Sequence, residues 1–284
     1  MERLCLLNDE GALSPEGVAA FRQIIYGHFH RHGRDFPWRR TDDPYQILVS
    51  EIMLQQTQVE RVARWYDRFL SAFPDLATLA QAPVHEILRV WQGLGYNRRA
   101  LSLKRLACRV AEEFGGRLPD SMEVLRTLPG IGPATAGAIA AFAFNRPAVF
   151  LETNIRRVFL HFFFPRATGV SDRQLLPLVG HTLDPVCPRL WYYALMDYGA
   201  KLKMQASNAN RRSAHYRKQS LFENSERQIR SRILQMLLDN SPLHQERVEE
   251  AGGQSPARIR RVISQLVAEG FLEQREGLLS INSS

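Results

Sequence analysis

The chain has 284 residues, 45% of them hydrophobic and 23% charged, a balance that excludes a largely disordered chain and fits one large or two modest folded domains. It has no uninterrupted apolar run of about 18 residues, and its start, "MERLCLLNDEGAL", lacks the basic and apolar regions of a signal peptide. A cytoplasmic protein without a membrane span is therefore expected. The net charge of +8 suits a nucleic-acid partner and equally an ordinary basic enzyme, while Cys5, Cys108 and Cys187 are too scattered to indicate a disulfide framework or a cysteine metal site.

Helical periodicity dominates from the start. In "SPEGVAAFRQIIYGHFHRHG", Ser14 can cap and Pro15 takes the first helical position. His28 and His32 are four apart, as a metal pair could be, but no acidic or cysteine partner is near and no metal is expected. Further helices are predicted over 44–58, 60–72, 84–91, 98–114, 121–128, 133–144, 153–163 and 188–203, with few extended signals before residue 270. The first of these contains "VSEIMLQQTQV", in which Glu51 has Ile47, Leu48, Leu54 and Gln55 three and four positions away. A carboxyl on so apolar a face must find partners, shift its pKa upward, or line a cavity where a ligand meets it. An ordinary capping or ion-paired glutamate is the alternative.

"LRTLPGIGPATAGAIAAFAF" runs from Leu125 to Phe144. Gly130 and Gly132 allow a tight turn around Ile131, Pro133 opens the next helix with Thr135 in its first turn, and small residues let that helix pack closely. This is a helix-hairpin-helix pattern, whose exposed backbone N–H groups suit a DNA phosphate; a plain helical hairpin is the alternative. In "VFLETNIRRVFLHFF", Glu152 and Asn154 immediately precede an apolar helix. Between Lys201 and Arg232, nine basic residues stand against two acidic ones, and "RRSAHYRKQS" there interleaves Arg211 and Arg212 with aromatic and hydroxyl side chains, as in a phosphate-tracking segment or a solvated linker.

Composition changes after about residue 220. Helices are predicted over 226–239 and 243–251, a third amphipathic helix in "SPARIRRVISQLVAEG", and a hairpin turning at Glu276 and Gly277. Three helices and a hairpin suggest a winged helix. Arg258, Arg260 and Arg261 then fall on the helix that commonly meets DNA, although such folds also dock proteins.

The ordered set "PWRRTDDPYQILVSEIMLQQTQV", "WQGLGYNRRA", "LPGIGPATAGAI", "LETNIRRV" and "LMDYGAKL", over roughly residues 31–203, resembles the MutY adenine DNA glycosylases of the helix-hairpin-helix superfamily that includes endonuclease III. The resemblance implies a mainly α, two-lobed glycosylase fold over 1–222, and the pattern beyond it leaves a small winged-helix-like domain over 223–284. It implies flipping and hydrolytic excision of a mispaired base, most simply adenine opposite G or 8-oxoguanine, by a monomer associated with the nucleoid. Glu51 would be the acid, Glu152 would stand where relatives have an aspartate facing the sugar, and Asn154 would hold nearby groups. Gln56 and Tyr96 would wedge beside the opposing base, with Gly130, Ile131, Gly132, Thr135, Arg211 and Arg212 on DNA.

Three departures shape these expectations. The four cysteines that hold the family's iron–sulfur cluster are missing after "LMDYGAKL", so no cofactor is expected. A winged-helix-like segment replaces the usual Nudix-related domain, and a protein partner for it is an open role. Ala134 takes the position of the Schiff-base lysine of bifunctional relatives, so no strand cleavage is expected. The other readings are a uracil or thymine mismatch glycosylase on the same scaffold, or a lesion-binding protein with weak catalysis.

Overall fold

A computed structural model describes residues 13–205, 208–217 and 222–282. Cys5 and Lys218 lie outside the described residues. In chain order the elements are α1 (Pro15–His32), α2 (Pro44–Leu54), α3 (Val59–Ala72), α4 (Leu76–Gln81), α5 (Val84–Trp91), α6 (Arg98–Phe114), α7 (Met122–Leu125), α8 (Pro133–Phe144), α9 (Thr153–Phe162), α10 (Asp172–Thr182) and α11 (Pro188–Gln205). They continue with α12 (Glu226–Asp239), β1 (Leu243–His244), α13 (Gln245–Ala251), α14 (Pro256–Ala268), β2 (Leu272–Arg275) and β3 (Leu278–Ile281). The fold is mainly helical, with one small sheet among the described residues.

The chain forms two compact units. The first comprises the described parts of Met1–Glu51, Pro119–Thr127 and Ile131–Lys218; the second comprises those of Ile52–Leu118, Leu128–Gly130 and Gln219–Ser284. The carboxy-terminal segment thus shares a unit with α3 to α6.

In the first unit, Phe21 of α1 packs edge-on against Phe159, Phe162, Phe163 and Trp191, locking α1 to α9 and α11. Helices α9 and α11 approach so closely that a Cβ at Gly199 would lie 2.4 Å from the Asn154 carbonyl oxygen, so any larger residue would push the two apart. The approach matters because Asn154 follows Glu152 by two residues.

In the second unit, Trp91, Tyr66 and Phe69 are fully buried, and the Lys104 ammonium donates to the carbonyls of Ala80 (3.2 Å) and Ala82 (2.9 Å), closing the end of α4. The carboxy-terminal segment is a three-helix, three-strand winged helix. Its antiparallel sheet has the order β1-β3-β2, and its hairpin turns at Glu276 and Gly277, both at positive φ. Ile233, Leu237, Val262, Leu266, Phe271 and Leu279 fill its core.

Several boundaries differ from the sequence reading. The helix predicted to reach residue 58 ends at Leu54, because Arg99 takes the carbonyls of Ile52 (2.9 Å), Met53 (2.6 Å) and Gln55 (2.7 Å). Gln56 then turns with φ +56°. The helix predicted over 121–128 is a single turn, α7. Residues 243–244 are strand rather than helix, since their backbone pairs with β3. Helices α4 and α10 were not predicted: Asp75 caps the first, and a Ser171–Gln174 capping box starts the second despite the interior Pro177.

Candidate active site

Two carboxyl groups, Glu51 and Glu152, come near each other in the first unit. Glu51, three residues before the end of α2, is half-buried, and among the described residues no side chain or backbone N–H shifts its pKa by hydrogen bonding. Burial pushes its carboxyl up to about 8, the nearby Glu152 carboxylate adds to the rise, and Arg39 opposes it. Near neutral pH, Glu51 holds its proton.

Glu152 is treated differently. It is the N-cap of α9, and its Oε1 accepts from the backbone N–H of Asn154 (2.7 Å) and of Ile155 (2.8 Å), while the Asn154 amide lies 3.4 Å from Oε2. Burial, the largest influence, leaves its pKa above the ordinary glutamate value, and those two N–H groups, Arg157 and Arg156 offset part of that rise. The methylene that distinguishes it from an aspartate is taken up in this cap. Asn154 in turn accepts from Arg157 (2.7 Å), whose guanidinium also donates to the Gly199 carbonyl (2.8 Å), so the first turn of α9 is tied to α11.

A buried cation lies near Glu51. Arg39 is clamped on Asp197 through two hydrogen bonds of 2.8 and 2.9 Å, and its guanidinium lies 4.5 Å from the Tyr193 ring centre and 5.3 Å from that of Phe36. Asp197 also accepts from Arg34; against the upward push of its own burial, these arginines hold it below the usual carboxylate range. Arg39 lies in "PWRR" and Asp197 in "LMDYG", but neither they nor Tyr193 stand out as site residues in the sequence. The available signal was Asp197, the one acid in α11, set in the apolar run between Trp191 and Ala200.

In the second unit, Arg99 organises the loops that carry Gln56 and Tyr96. Besides the three carbonyls at the end of α2, it reaches the Gly95 carbonyl (2.9 Å) and the Thr57 hydroxyl (3.0 Å). Burial draws its guanidinium down to about 10. Gln56 is exposed and Tyr96 is half-buried, each in a left-handed backbone conformation. Gln55, one position earlier, donates to the Gly130 carbonyl (3.2 Å). Gly130 has φ +80°, and a Cβ there would come within 2.9 Å of the Ser102 side chain.

The other expected DNA contacts are arranged as follows. Gly132 is the exposed N-cap of α8, Ile131 is buried, and Ala134 and Thr135 are half-buried in the first turn. Arg211 is exposed. Arg212 turns inward, its guanidinium on the Pro165 carbonyl and its own carbonyl accepting from Val170 (2.9 Å). Beside it Asn210 donates to the Thr153 carbonyl (3.1 Å), so this stretch fastens onto the start of α9 by hydrogen bonds. A four-thiolate cluster does not fit here: Cys108 is on α6, Cys187 precedes α11, and no cysteine follows it in the sequence.

The HhH-GPD superfamily of base excision DNA repair proteins matches residues 49–175. Over 259 residues the chain is 33% identical to an adenine DNA glycosylase of Mycolicibacterium smegmatis, spanning 85% of this chain and 88% of that protein. The chain belongs to the adenine DNA glycosylase family. Other members include that of Homo sapiens, 38% identical over 64% of this chain and 36% of its own, and one from Buchnera aphidicola, 35% identical over 66% and 54%. The chain thus spans about half or less of those two relatives. Among solved structures it resembles a thermostable thymine-DNA glycosylase, with TM-score 0.58 and 30% identity over 64% of this chain and 86% of that one. An endonuclease III–DNA complex shares the fold at TM-score 0.53 and 18% identity. No described helix is long and apolar enough to cross a membrane.

Proposed function

We propose that this member of the adenine DNA glycosylase family hydrolyses the N-glycosidic bond of a flipped, mispaired adenine opposite G or 8-oxoguanine in duplex DNA. The observation that carries the reading is the pair of carboxyls in one unit with different surroundings: burial raises both, but among the described residues Glu51 has no hydrogen bond that favours its anion, whereas Glu152 is given two backbone N–H donors at a helix N-terminus. Glu51 donates its proton to a ring nitrogen as the C1′–N bond breaks, and the base leaves neutral. Glu152 faces the cationic sugar and takes a proton from the water that adds to C1′. Asn154 and Arg157 hold Glu152's end of α9 in place, and the Arg39–Asp197 clamp fixes the charge beside Glu51.

Single-turnover assays on duplexes carrying A, U, T or hypoxanthine opposite G or 8-oxoguanine test this reading. Release of adenine is expected to dominate. Efficient release of U or T without A would shift the assignment to a pyrimidine glycosylase; the 30% identical solved structure is a thymine-DNA glycosylase.

The same proposal takes the enzyme to be monofunctional, monomeric and free of an iron–sulfur cluster, with a glycosylase domain over 1–222 and a winged-helix domain over 223–284. Ala134 offers no amine, so product DNA should carry an intact abasic site that breaks only with alkali or heat, and borohydride should trap no covalent adduct. A strong trapped adduct would assign the role to another amine. Because the cysteines cannot supply four thiolates after α11, purified protein should contain no stoichiometric iron; finding it would overturn the cluster-free assignment.

A further inference from the structure

The winged-helix segment could meet DNA through α14, but its electrostatics point elsewhere. Residues 223–284 contain eight arginines and no lysine against nine acidic residues, so the segment adds no net positive charge. The three arginines of α14 are engaged within the segment: Arg258 on Gln254 (3.0 Å) and the Asn224 carbonyl (2.6 Å), Arg260 near Glu249 (3.6 Å), and Arg261 on Glu226.

Other arginines tie the segment to the rest of its unit. Glu269, just after α14, takes a forked pair of hydrogen bonds from Arg98 (2.8 and 2.6 Å) at the start of α6, and a second fork from Arg230 of α12. Arg105 donates to the Glu269 carbonyl (2.7 Å). Arg98 is two residues after Tyr96, so the anchor lies beside the loop expected to wedge into DNA. From α12, Arg227 then reaches that loop itself. It donates to the Tyr96 hydroxyl at 2.9 Å, and its guanidinium lies 5.7 Å from the Tyr96 ring centre and 6.0 Å from that of Phe222. Tyr96 is thus held from both sides: Arg99 fixes the loop backbone and faces the ring at 5.5 Å, and Arg227 fixes the hydroxyl.

We propose that the winged-helix segment is an intramolecular brace for the wedge loop, with Arg227 as a positioning residue that preorganises Tyr96 and thereby favours flipping of the target base. The inference rests on the reading of Tyr96 as a wedge. A side chain held in its inserted orientation before binding loses less freedom on insertion, so the gain appears in the flipping equilibrium rather than in bond breaking.

The test compares full-length wild type, Arg227→Ala, Arg227→Lys, Tyr96→Phe, the Arg227→Ala/Tyr96→Phe double variant and Tyr96→Ala. Each is checked by thermal melting and assayed in single turnover on an A–8-oxoguanine duplex, with 2-aminopurine beside the target reporting flipping. Arg227→Ala and Tyr96→Phe should each slow base release about tenfold, roughly the loss of one charge-assisted hydrogen bond, with matching loss of the fluorescence step. The double variant should be no slower than either single one, Arg227→Lys should fall between, and placing an abasic site opposite the adenine should restore near wild-type rates. Additive losses, or a normal rate and fluorescence step in Arg227→Ala while Tyr96→Ala is impaired, would overturn the brace alone. A normal Tyr96→Ala enzyme would overturn the wedge reading and the brace with it. Tyr96→Phe keeps the ring and the charge balance, so the hydroxyl contact is tested even if Arg227→Ala proves unstable.

Discussion

Replacing Glu51 with glutamine should lower single-turnover base release by about 10²–10⁴-fold while leaving DNA affinity close to wild type, because the substitution keeps size and polarity and removes only the transferable proton. A near-normal rate in Glu51→Gln would remove the acid from the mechanism. The pH profile carries the same information. With Glu51 pushed up to about 8, activity should fall as pH rises through that value. On the acid side it should fall as Glu152 gains a proton, above the ordinary glutamate range because burial raises Glu152 too. Both limbs belong to the pair, since each carboxyl feels the other.

Stability gives an independent check in which Glu51→Gln, harmful to the rate, is favourable. A carboxyl whose folded pKa lies above its unfolded value contributes stability fully present below the ordinary glutamate pKa and lost as pH rises through the folded one. Wild type should therefore lose stability from pH 5 toward pH 9 through Glu51. Glu51→Gln has no such proton to lose. It should melt above wild type at pH 9, with the gap closing at acid pH, as expected where function is held at a cost in stability. Melting curves at the two pH values check this without any DNA.

The helices that carry the candidate chemistry were legible because α9 is amphipathic, because α8 opens on Pro133 after the Gly130 and Gly132 turn, and because Glu51 interrupts the apolar run of α2. Arg99 was harder to see. It is in phase with Leu103, Leu106 and Val110 on the buried stripe of α6, but it belongs to an arginine-rich stretch in which Arg98 and Arg105 are exposed. A buried cation satisfied by carbonyls has no sequence partner to betray it. The end of α2 was misjudged for the same reason, since what stops the helix is a guanidinium more than forty residues away. Strand β1 has two residues and exists only because β3 pairs with it, and the Arg227–Tyr96 contact joins positions 131 apart in sequence. Periodicity reports what a segment buries; it does not report which distant group buries it.

Glu152 is where the sequence and the fold make the sharpest joint prediction. An extra methylene relative to aspartate displaces a carboxylate by about 1 Å, and misplacement on that scale can cost about 10²-fold in rate. Here the longer side chain folds back to cap α9, with Oε1 on two backbone N–H groups, so its carboxylate is fixed by the backbone rather than left mobile. Shortening it to aspartate changes the reach of that cap and moves the charge, and Glu152→Asp should lose activity. Glu152→Gln keeps the length and can still accept from the cap, but it removes the anion facing the sugar cation and should lose much more, about 10²-fold or beyond. Each variant retains a side-chain acceptor at the N-cap, so melting temperatures should differ modestly while rates diverge. A single-turnover series of wild type, Glu152→Asp and Glu152→Gln on the best duplex decides the matter. A faster aspartate enzyme would mean that the pocket still fits the shorter acid and that Glu152 is damage, whereas equal rates in all three would leave the glutamate as a helix cap with no part in catalysis.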